Sequence, residues 1–344
     1  MISVYDIDGL ARWASAHGVD EPTLKRFRVA FFKKALAEDD CLAMLPPSVR
    51  AAFQAAVALP SLDLVARQDS NRDGATKLSL RTADGHRVEA VILRVASGRT
   101  SLCISSQVGC AANCQFCATA KLGLARNLTT DEILAQVSLA QRLLRAEART
   151  LRNIVFMGMG EPLHNEKNLY AALDTLRNPR AFYFADRHLM VSTVGMVAAM
   201  GRFRERFPTV NLALSLHSAR QEVRRDLMPA AKSQTLEKLR AVFPPQGSPS
   251  PLMIEYVLLQ GVNDGPDDLT ALIDYLRGAE VHINLIPFNP HPGAAFTPVG
   301  KAEREAFAHA LRRAGYKVTL RRSLGDDIAA ACGQLAGVHA RSGN

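Results

Sequence analysis

The sequence predicts an α/β fold, namely a partial (β/α)6 barrel with a small N-terminal helical domain and a β-hairpin extension. Six apolar runs are continuous rather than alternating, which is typical of parallel strands covered on both faces. Helical stretches separate these runs, and this alternation is typical of an open or partial barrel. Around residue 80 the apolar period is two, which predicts a hairpin. The six candidate strands are residues 153–159, 188–193, 210–216, 251–259, 281–287 and 316–321.

The composition bounds the class of protein. With 344 residues, 48% of them hydrophobic, the chain is long enough for one large α/β domain and a small one. Its net charge of +9 is consistent with a polyanionic partner, although charge alone does not establish one. No apolar run approaches the roughly 18 to 20 residues of a membrane span, and the first residues do not resemble a signal peptide. We therefore expect a cytoplasmic protein without membrane association.

Residues 1–68 are predicted to form the helical domain, because apolar residues recur there at helical spacing among basic ones. The basic residues form either a solvated helix face or an RNA-binding accessory surface, and both interpretations stay open. They are Lys25, Arg26, Arg28, Lys33 and Lys34.

Residues 69–95 are predicted to form the hairpin extension, with a turn at Asp84 and Gly85. Glu89 lies beside an apolar run in its second strand, which is unusual for a carboxylate if the strand is half-buried. Glu89 is therefore interpreted either as a solvent-facing strand residue or as a functional acid.

The segment Cys103–Cys117 contains four of the six cysteines. Cys110, Cys114 and Cys117 have the spacing C-x3-C-x2-C, which offers three thiolates to one soft metal centre. A structural zinc site closes with four ligands, whereas three thiolates on a four-iron cluster leave one iron free for a substrate. The alternatives are a buried cysteine cluster and a zinc site whose fourth ligand lies elsewhere.

Polar or flexible residues follow several of the candidate strands. In barrel enzymes the chemistry lies at the carboxyl ends of the strands. These residues are therefore expected to meet the loop that carries Cys110, Cys114 and Cys117, here called the cysteine loop. Gly160 and Glu161 combine a flexible backbone with a carboxylate that could hold an ammonium group. The others could bind carboxylate, ribose and adenine groups, although any one of them could be a satisfied core residue. They are Ser192, Ser215, His217 and Asn289.

Two cysteines remain outside the C-x3-C-x2-C motif and the N-terminal domain. Cys103 lies seven residues before Cys110, and Cys332 lies near the far end of the chain. A lone cysteine among small residues is usually a buried apolar side chain, as we expect for Cys41. Two thiols beside a three-thiol motif nevertheless permit covalent chemistry.

Six sequence blocks in the same order resemble the RlmN/Cfr family of radical S-adenosylmethionine (SAM) RNA adenine methyltransferases. The resemblance covers residues from about 73 to 337, and the preceding helical segment is similar to the N-terminal domain of that family. It implies a radical SAM core at residues 96–330 and a C-terminal segment, residues 331–344, that carries a methyl-accepting cysteine. The blocks are CISSQVGCAANCQFCATAKLGLARNL, MGMGEPL, VSTVG, LALSLHS, LIPFNP and GDDIAAACGQLAG.

The resemblance also implies cofactors and their ligands. Cys110, Cys114 and Cys117 would bind a [4Fe-4S] cluster, and two SAM molecules would be used per turnover. The remaining cofactor-binding residues would be Gly160, Glu161, Ser192, Ser215, Leu216, His217 and Asn289.

Three further residues would carry the methyl transfer in this resemblance. Cys332 would take a methyl group from one SAM, and a radical made from the second would remove a hydrogen from that methyl. An adenine ring carbon is electrophilic and cannot attack a sulfonium, whereas a carbon radical can add to it. Glu89 would accept the ring proton, and Cys103 would resolve the adduct through a transient disulfide with Cys332.

The two branches of the family differ in the carbon that they methylate. GMGEP and DGATKL are similar to the branch that methylates C2 of an adenine in 23S rRNA and in some tRNAs. CISSQ and the residues around Cys117 are similar to the C8 branch, which gives antibiotic resistance, and Leu324 replaces an arginine of the C2 branch. We favour C2.

Partners and competing functions follow from the same resemblance. RNA, a flavodoxin or ferredoxin as electron donor, and a monomeric state are expected. The competing hypotheses are a non-catalytic iron-sulfur or zinc RNA-binding protein and a methylase of peptides or small molecules. The candidate phosphate contacts on the helix after the cluster are Arg142, Arg145, Arg149 and Arg152.

Overall fold

The computed structural model describes residues 1–95 and 97–336, and a ten-stranded sheet forms its centre. The order of strands in this sheet is β14-β13-β12-β11-β10-β9-β6-β5-β4-β3, and two short pairs, β1-β2 and β7-β8, lie outside it. The strands are β1 Ile2–Ser3, β2 Val57–Ala58, β3 Asp63–Asp69, β4 Gly74–Arg81, β5 Arg87–Arg94, β6 Thr100–Cys103, β7 Gln107–Gly109, β8 Leu124–Asn127, β9 Asn153–Phe156, β10 Leu189–Thr193, β11 Asn211–Ser215, β12 Leu252–Leu258, β13 Val281–Pro287 and β14 Lys317–Leu320.

Helices connect the strands and build the N-terminal domain. The α-helices are α1 Ile7–Ala16, α2 Glu21–Arg28, α3 Glu38–Leu42, α4 Pro47–Ala56, α5 Thr130–Ala146, α6 Glu166–Arg177, α7 Val197–Arg206, α8 Gln221–Leu227, α9 Leu236–Ala241, α10 Pro266–Leu276 and α11 Lys301–Arg313. A π-helical turn, Val29–Lys33, follows α2, and short 3-10 helices are Ala118–Leu122, Pro162–Asn165, Asp186–His188, Pro229–Ser233 and Asp326–Ile328. In the described part of the chain no helix is both long and apolar enough to cross a membrane.

The parallel part of the sheet forms an open barrel. β6 and β9 to β14 are neighbours in chain order, and each adjacent pair is parallel. Helices join these strands, so all their carboxyl ends meet at one edge of the sheet. The six predicted parallel strands are confirmed within slightly shorter bounds. β6, which precedes the cysteine loop, is an additional strand that the sequence analysis does not include.

The antiparallel extension has three strands rather than two. β4 and β5 form the predicted hairpin around Asp84 and Gly85, and β5 joins it to the barrel through β6. β3 pairs with β4 at the edge of the sheet and is largely exposed. The prediction of a helical segment through residue 68 is therefore wrong after Ala56. An exposed edge strand buries no apolar face, so its sequence carries no period-two signal.

The N-terminal domain packs on the barrel with an aromatic core. The ring of Phe53 contacts the rings of Trp13 and Phe27 edge to face, and the Tyr5 hydroxyl is hydrogen-bonded to Ser138 of α5. Arg28 is buried and paired with Glu21, so it does not belong to an exposed basic face. The exposed basic residues of this region are Lys25, Arg26, Lys33 and Lys34.

Helix α5 begins with a capping box, in which the side chains of Thr129 and Glu132 each accept a hydrogen bond from the other residue's backbone N–H. Only Arg142 and Arg145 of the four candidate arginines lie on this helix, which ends at Ala146. Arg149 and Arg152 follow it, and the backbone N–H of Arg152 donates to Thr100 at the start of β6. The cysteine loop follows the opposite end of β6. Arg152 therefore lies at the end of β6 that is opposite the cysteine loop.

Candidate active site

A cavity opens at the carboxyl ends of the parallel strands, with about 940 Å³ of empty space that is partly open to solvent. All but three of the predicted site residues line it; the exceptions are Glu89, Cys103 and Leu216. The predicted residues that line the cavity are Cys110, Cys114, Cys117, Gly160, Glu161, Ser192, Ser215, His217, Asn289 and Cys332.

The cysteine loop lies at one wall of this cavity. Its backbone is held by bonds from Cys110 N to Gly123 O (2.8 Å) and from Cys117 N to Cys114 O (3.1 Å). Burial raises the pKa of the Cys110 and Cys114 thiols, that of Cys110 to about 11. A metal centre bound here must therefore supply enough positive charge to hold these groups as thiolates.

The three thiols do not converge on one point. Among the described residues, no three His, Cys, Asp or Glu side chains are arranged to hold a single metal ion. A mononuclear zinc site requires such convergence, whereas in a four-iron cluster each thiolate binds a different iron. Three thiols around one cavity are the donor set of a four-iron cluster that keeps one iron free for a ligand.

Glu161 is buried at the carboxyl end of the second parallel strand. Its two carboxylate oxygens accept bonds from the backbone N–H groups of Leu163 (3.0 Å) and Val194 (2.8 Å). Burial raises the pKa of Glu161 to about 7, against the effect of these two donors. The carboxylate is thus fixed in place at the cavity wall, where a cationic group of a ligand would stabilise its charge.

The glycine before Glu161 has a packing role as well. Gly160 has a φ of +105°, and a Cβ on it would lie 2.6 Å from the side chain of Gln107. The side chain of Gln107 in turn accepts a bond from the backbone N–H of Glu161. A side chain at residue 160 would therefore displace Glu161, whether or not a ligand is bound.

Small polar groups from the ends of two neighbouring strands, β10 and β11, face the same cavity. Ser192 and Ser215, at the ends of β10 and β11, have their hydroxyl oxygens 3.4 Å apart. The Nδ1 atom of His217 accepts a bond from Val257 N, so the ring proton is on Nε2. Burial and the nearby Arg224 cation lower the pKa of His217 to about 3, which keeps it neutral. Leu216, between them, is fully buried in the core and offers only its backbone.

The Cys332 thiol is exposed to the cavity, but the surrounding protein shields it from bulk water. Hydrogen bonds from other parts of the site hold the segment that carries it. The Cys332 carbonyl oxygen accepts a bond from Asn289 Nδ2 (3.0 Å). The next residue, Gly333, accepts a bond from Ala118 of the cysteine loop (2.7 Å). Asn289 Oδ1 accepts a second bond, from Ser323. Asn289, predicted to bind the cofactor, therefore also positions the segment that carries Cys332.

Cys103 is buried at the end of β6, close enough to Cys332 for the two thiols to interact electrostatically. Burial and, to a smaller extent, the nearby Cys332 raise its pKa to about 12. Both cysteines are free thiols in this structure, so the disulfide between them stays a prediction.

Glu89 is buried on β5 and does not line the cavity. Its carboxylate accepts a bond from Ala336 N (3.0 Å), four residues after Cys332, and lies 3.9 Å from Lys77 Nζ. Glu89 therefore contacts the C-terminal segment whose residues Cys332 and Gly333 line the cavity. Its role as a proton acceptor stays a prediction.

Three charged residues that the sequence analysis does not include lie at this site. Glu255 lines the cavity, with Oε1 bonded to Asn284 and Oε2 without a partner in the described part of the chain. Burial raises the pKa of Glu255, Cys103 and Cys332, and the Arg321 guanidinium partly offsets this for all three. Arg224 is fully buried behind the cysteine loop. Only Glu255 has a sequence signal, a lone carboxylate inside an apolar strand.

Comparison with known proteins agrees with this site. Residues 104–276 match the model of the radical SAM superfamily. The chain is 47% identical to a "Probable RNA methyltransferase" of Rhodopirellula baltica, over 92% of this chain and 83% of that protein. It is 42% identical to the "Dual-specificity RNA methyltransferase RlmN" of Phenylobacterium zucineum, over 83% of this chain and 76% of that protein.

A solved structure is similar over almost the whole chain. The radical SAM methyltransferase from Sphaerobacter thermophilus is 36% identical, covers 98% of this chain and 100% of its own, and superposes with a TM-score of 0.92. Together, the relatives, the fold and the three-thiol loop identify an enzyme. The chain belongs to the RlmN/Cfr family of radical SAM RNA adenine methyltransferases.

Proposed function

We propose that this enzyme methylates C2 of an adenine in 23S rRNA, and in tRNA, through an S-methylcysteine at Cys332. The observation that carries the proposal is the common cavity of Cys332 and the three motif cysteines. A thiol that lines the cofactor cavity can both receive a methyl group and present it to a radical. The relatives named RlmN support C2 rather than C8, and the name "dual-specificity" supports more than one RNA substrate.

The residues of the cavity divide the work. Cys110, Cys114 and Cys117 would hold a [4Fe-4S] cluster, and Glu161 would hold the ammonium group of SAM. The neutral His217, Ser192 and Ser215 would bind its polar groups by hydrogen bonds. When bound, the cluster and SAM supply a methyl group and, in a second use of SAM, a carbon radical. Flavodoxin or ferredoxin as reductant and a monomeric enzyme remain predictions.

Cys332 would attack the SAM methyl group as a thiolate. Burial raises its pKa, and the Arg321 guanidinium opposes this, so Arg321 favours the reactive form. The methylated Cys332 would then give up a hydrogen and add to the adenine carbon, because that electrophilic carbon accepts a radical but does not attack a sulfonium. Glu89 would accept the ring proton, the one surplus electron of the radical adduct would return to the oxidised cluster, and Cys103 would then release the product.

The RNA product tests this proposal directly. In a strain that lacks the gene, we expect 2-methyladenosine to be lost from 23S rRNA and from tRNA, as measured by mass spectrometry of the digested RNAs. The wild-type gene should restore it. Loss of 8-methyladenosine instead would assign the enzyme to C8, and unchanged levels of both would favour a peptide or small-molecule substrate.

Replacing Glu161 tests the cofactor site separately from chemistry. We expect Glu161→Gln to weaken SAM binding about 10- to 100-fold, because a charged hydrogen bond to the ammonium group becomes a neutral one. Equilibrium dialysis with the cluster-loaded protein measures this. Glu166→Gln is the matched control, since Glu166 lies five residues away on α6 and pairs with Arg202. Equal SAM affinity in both variants would exclude Glu161 as a cofactor ligand.

A further inference from the structure

Arg224 is a buried cation that the proposed mechanism does not use. It lies on α8, and its side chain is fully buried, as few arginines are. Its Nη2 donates to the carbonyl oxygens of Val194 (2.6 Å) and Ser215 (3.4 Å). Its Nε and Nη1 have no hydrogen-bond partner among the described residues.

No carboxylate of the described chain is paired with this guanidinium. The acidic groups that interact with it are Tyr275 and Cys114. Tyr275 donates its hydroxyl to Leu236 O, and its pKa is raised by burial, so it is neutral. Isolating a charge from water without a counter-charge is strongly unfavourable. The negative charge that balances Arg224 must therefore be carried by Cys114 or by a group bound to it.

Helix α8 packs directly against the cysteine loop. Leu227, one turn after Arg224, accepts a bond from Gln115 N (2.9 Å), and Ala230 N donates to Ala112 O (3.4 Å). Arg224 itself does not line the cavity. It is therefore behind the cysteine loop, where it can act on a bound cluster through its charge without touching SAM.

We propose that Arg224 is the counter-ion of the iron-sulfur cluster and raises the reduction potential of that cluster. This inference rests on the proposed cluster site. A [4Fe-4S] cluster with three thiolate ligands has a net negative charge, and reduction adds a further electron. A nearby buried cation stabilises the reduced state more than the oxidised one. Arg224 thus makes the cluster easier to reduce, which the radical chemistry requires.

The test compares the cluster in three variants that differ at α8. In Arg224→Met we expect the ratio of reduced to oxidised cluster at a fixed potential to fall about tenfold, which corresponds to about 59 mV for one electron. Arg224→Lys keeps the charge and should stay close to the wild type. Arg225→Met is the matched control, because it removes the same charge from an exposed residue of the same helix. Redox titration followed by electron paramagnetic resonance measures all of them.

A second measurement separates this role from a purely structural one. If Arg224 serves the cluster, Arg224→Met should destabilise the loaded protein more than the cluster-free protein, which loses only the bonds to Val194 O and Ser215 O, as measured by thermal unfolding of both forms. Equal destabilisation, or failure to fold in both forms, would assign Arg224 to the fold and overturn the inference. An unchanged potential in an iron-loaded Arg224→Met would do the same. A wild-type protein that binds no iron would contradict the cluster site as well.

Discussion

Cys332→Ala is expected to abolish RNA methylation, with a loss of at least about 10³-fold. Alanine cannot accept a methyl group, and no other group in the proposed mechanism delivers carbon to the adenine ring. The assay is anaerobic, with reconstituted enzyme, SAM, a reductant and 23S rRNA, and the product is measured by mass spectrometry. Iron content should stay at the wild-type level, because Cys332 is not a proposed cluster ligand.

The structure makes this variant a clean test. The Cys332 side chain is exposed in the cavity, and its segment is held by its carbonyl oxygen rather than by sulfur. Cys41→Ala is the matched control, since Cys41 is buried in the N-terminal domain, far from the cavity lining. Methylation by Cys332→Ala at the wild-type rate would refute the carrier mechanism. The enzyme would then be a radical methylase that uses another mechanism. If neither the wild type nor Cys332→Ala methylates RNA, the protein would instead be an RNA-binding protein.

The barrel could be predicted from the sequence because its strands are buried on both faces. Continuous apolar runs such as that of β12 have few other interpretations when helices separate them. β3 and β6 lack that signal, since β3 is an exposed edge and β6 begins with the polar residues Thr100 and Ser101. Strand pairing, which defines both, depends on contacts that are distant in sequence.

Most of the cavity was predictable for a topological reason. Residues that follow parallel strands meet at one edge, so Glu161, Ser192 and Asn289 could be brought together without coordinates. The side chain of Leu216 does not line the cavity, because neighbouring residues at the end of a strand face opposite sides of the sheet. Arg224 gave no signal, since a helix sequence rich in arginine and acid is typical of an exposed face. Its burial depends on contacts that are distant in sequence, with Val194 and Ser215 at the ends of β10 and β11.

Cys103→Ala is expected to stop the enzyme after one reaction, with an RNA-protein adduct at Cys332. In the proposed release step, a Cys103 thiolate attacks the Cys332 sulfur and forms a disulfide. The carbon-sulfur bond breaks, its electron pair remains on the carbon, and that carbon takes up a proton to become the methyl group. Without Cys103 the bond does not break. A denaturing gel with labelled RNA should then show up to one adduct per enzyme molecule.

The wild-type enzyme and Cys41→Ala provide the comparison. Neither should accumulate the adduct, and in the absence of added thiols the wild type should end each single turnover with a Cys103–Cys332 disulfide, detectable by mass spectrometry. Repeated turnover by Cys103→Ala without an adduct would exclude Cys103 as the resolving thiol. Burial raises the pKa of Cys103 to about 12, so its thiolate is scarce until charge is rearranged around it. Arg321, the cation that opposes this shift, is then the group expected to make the attack possible, because it interacts with both thiols.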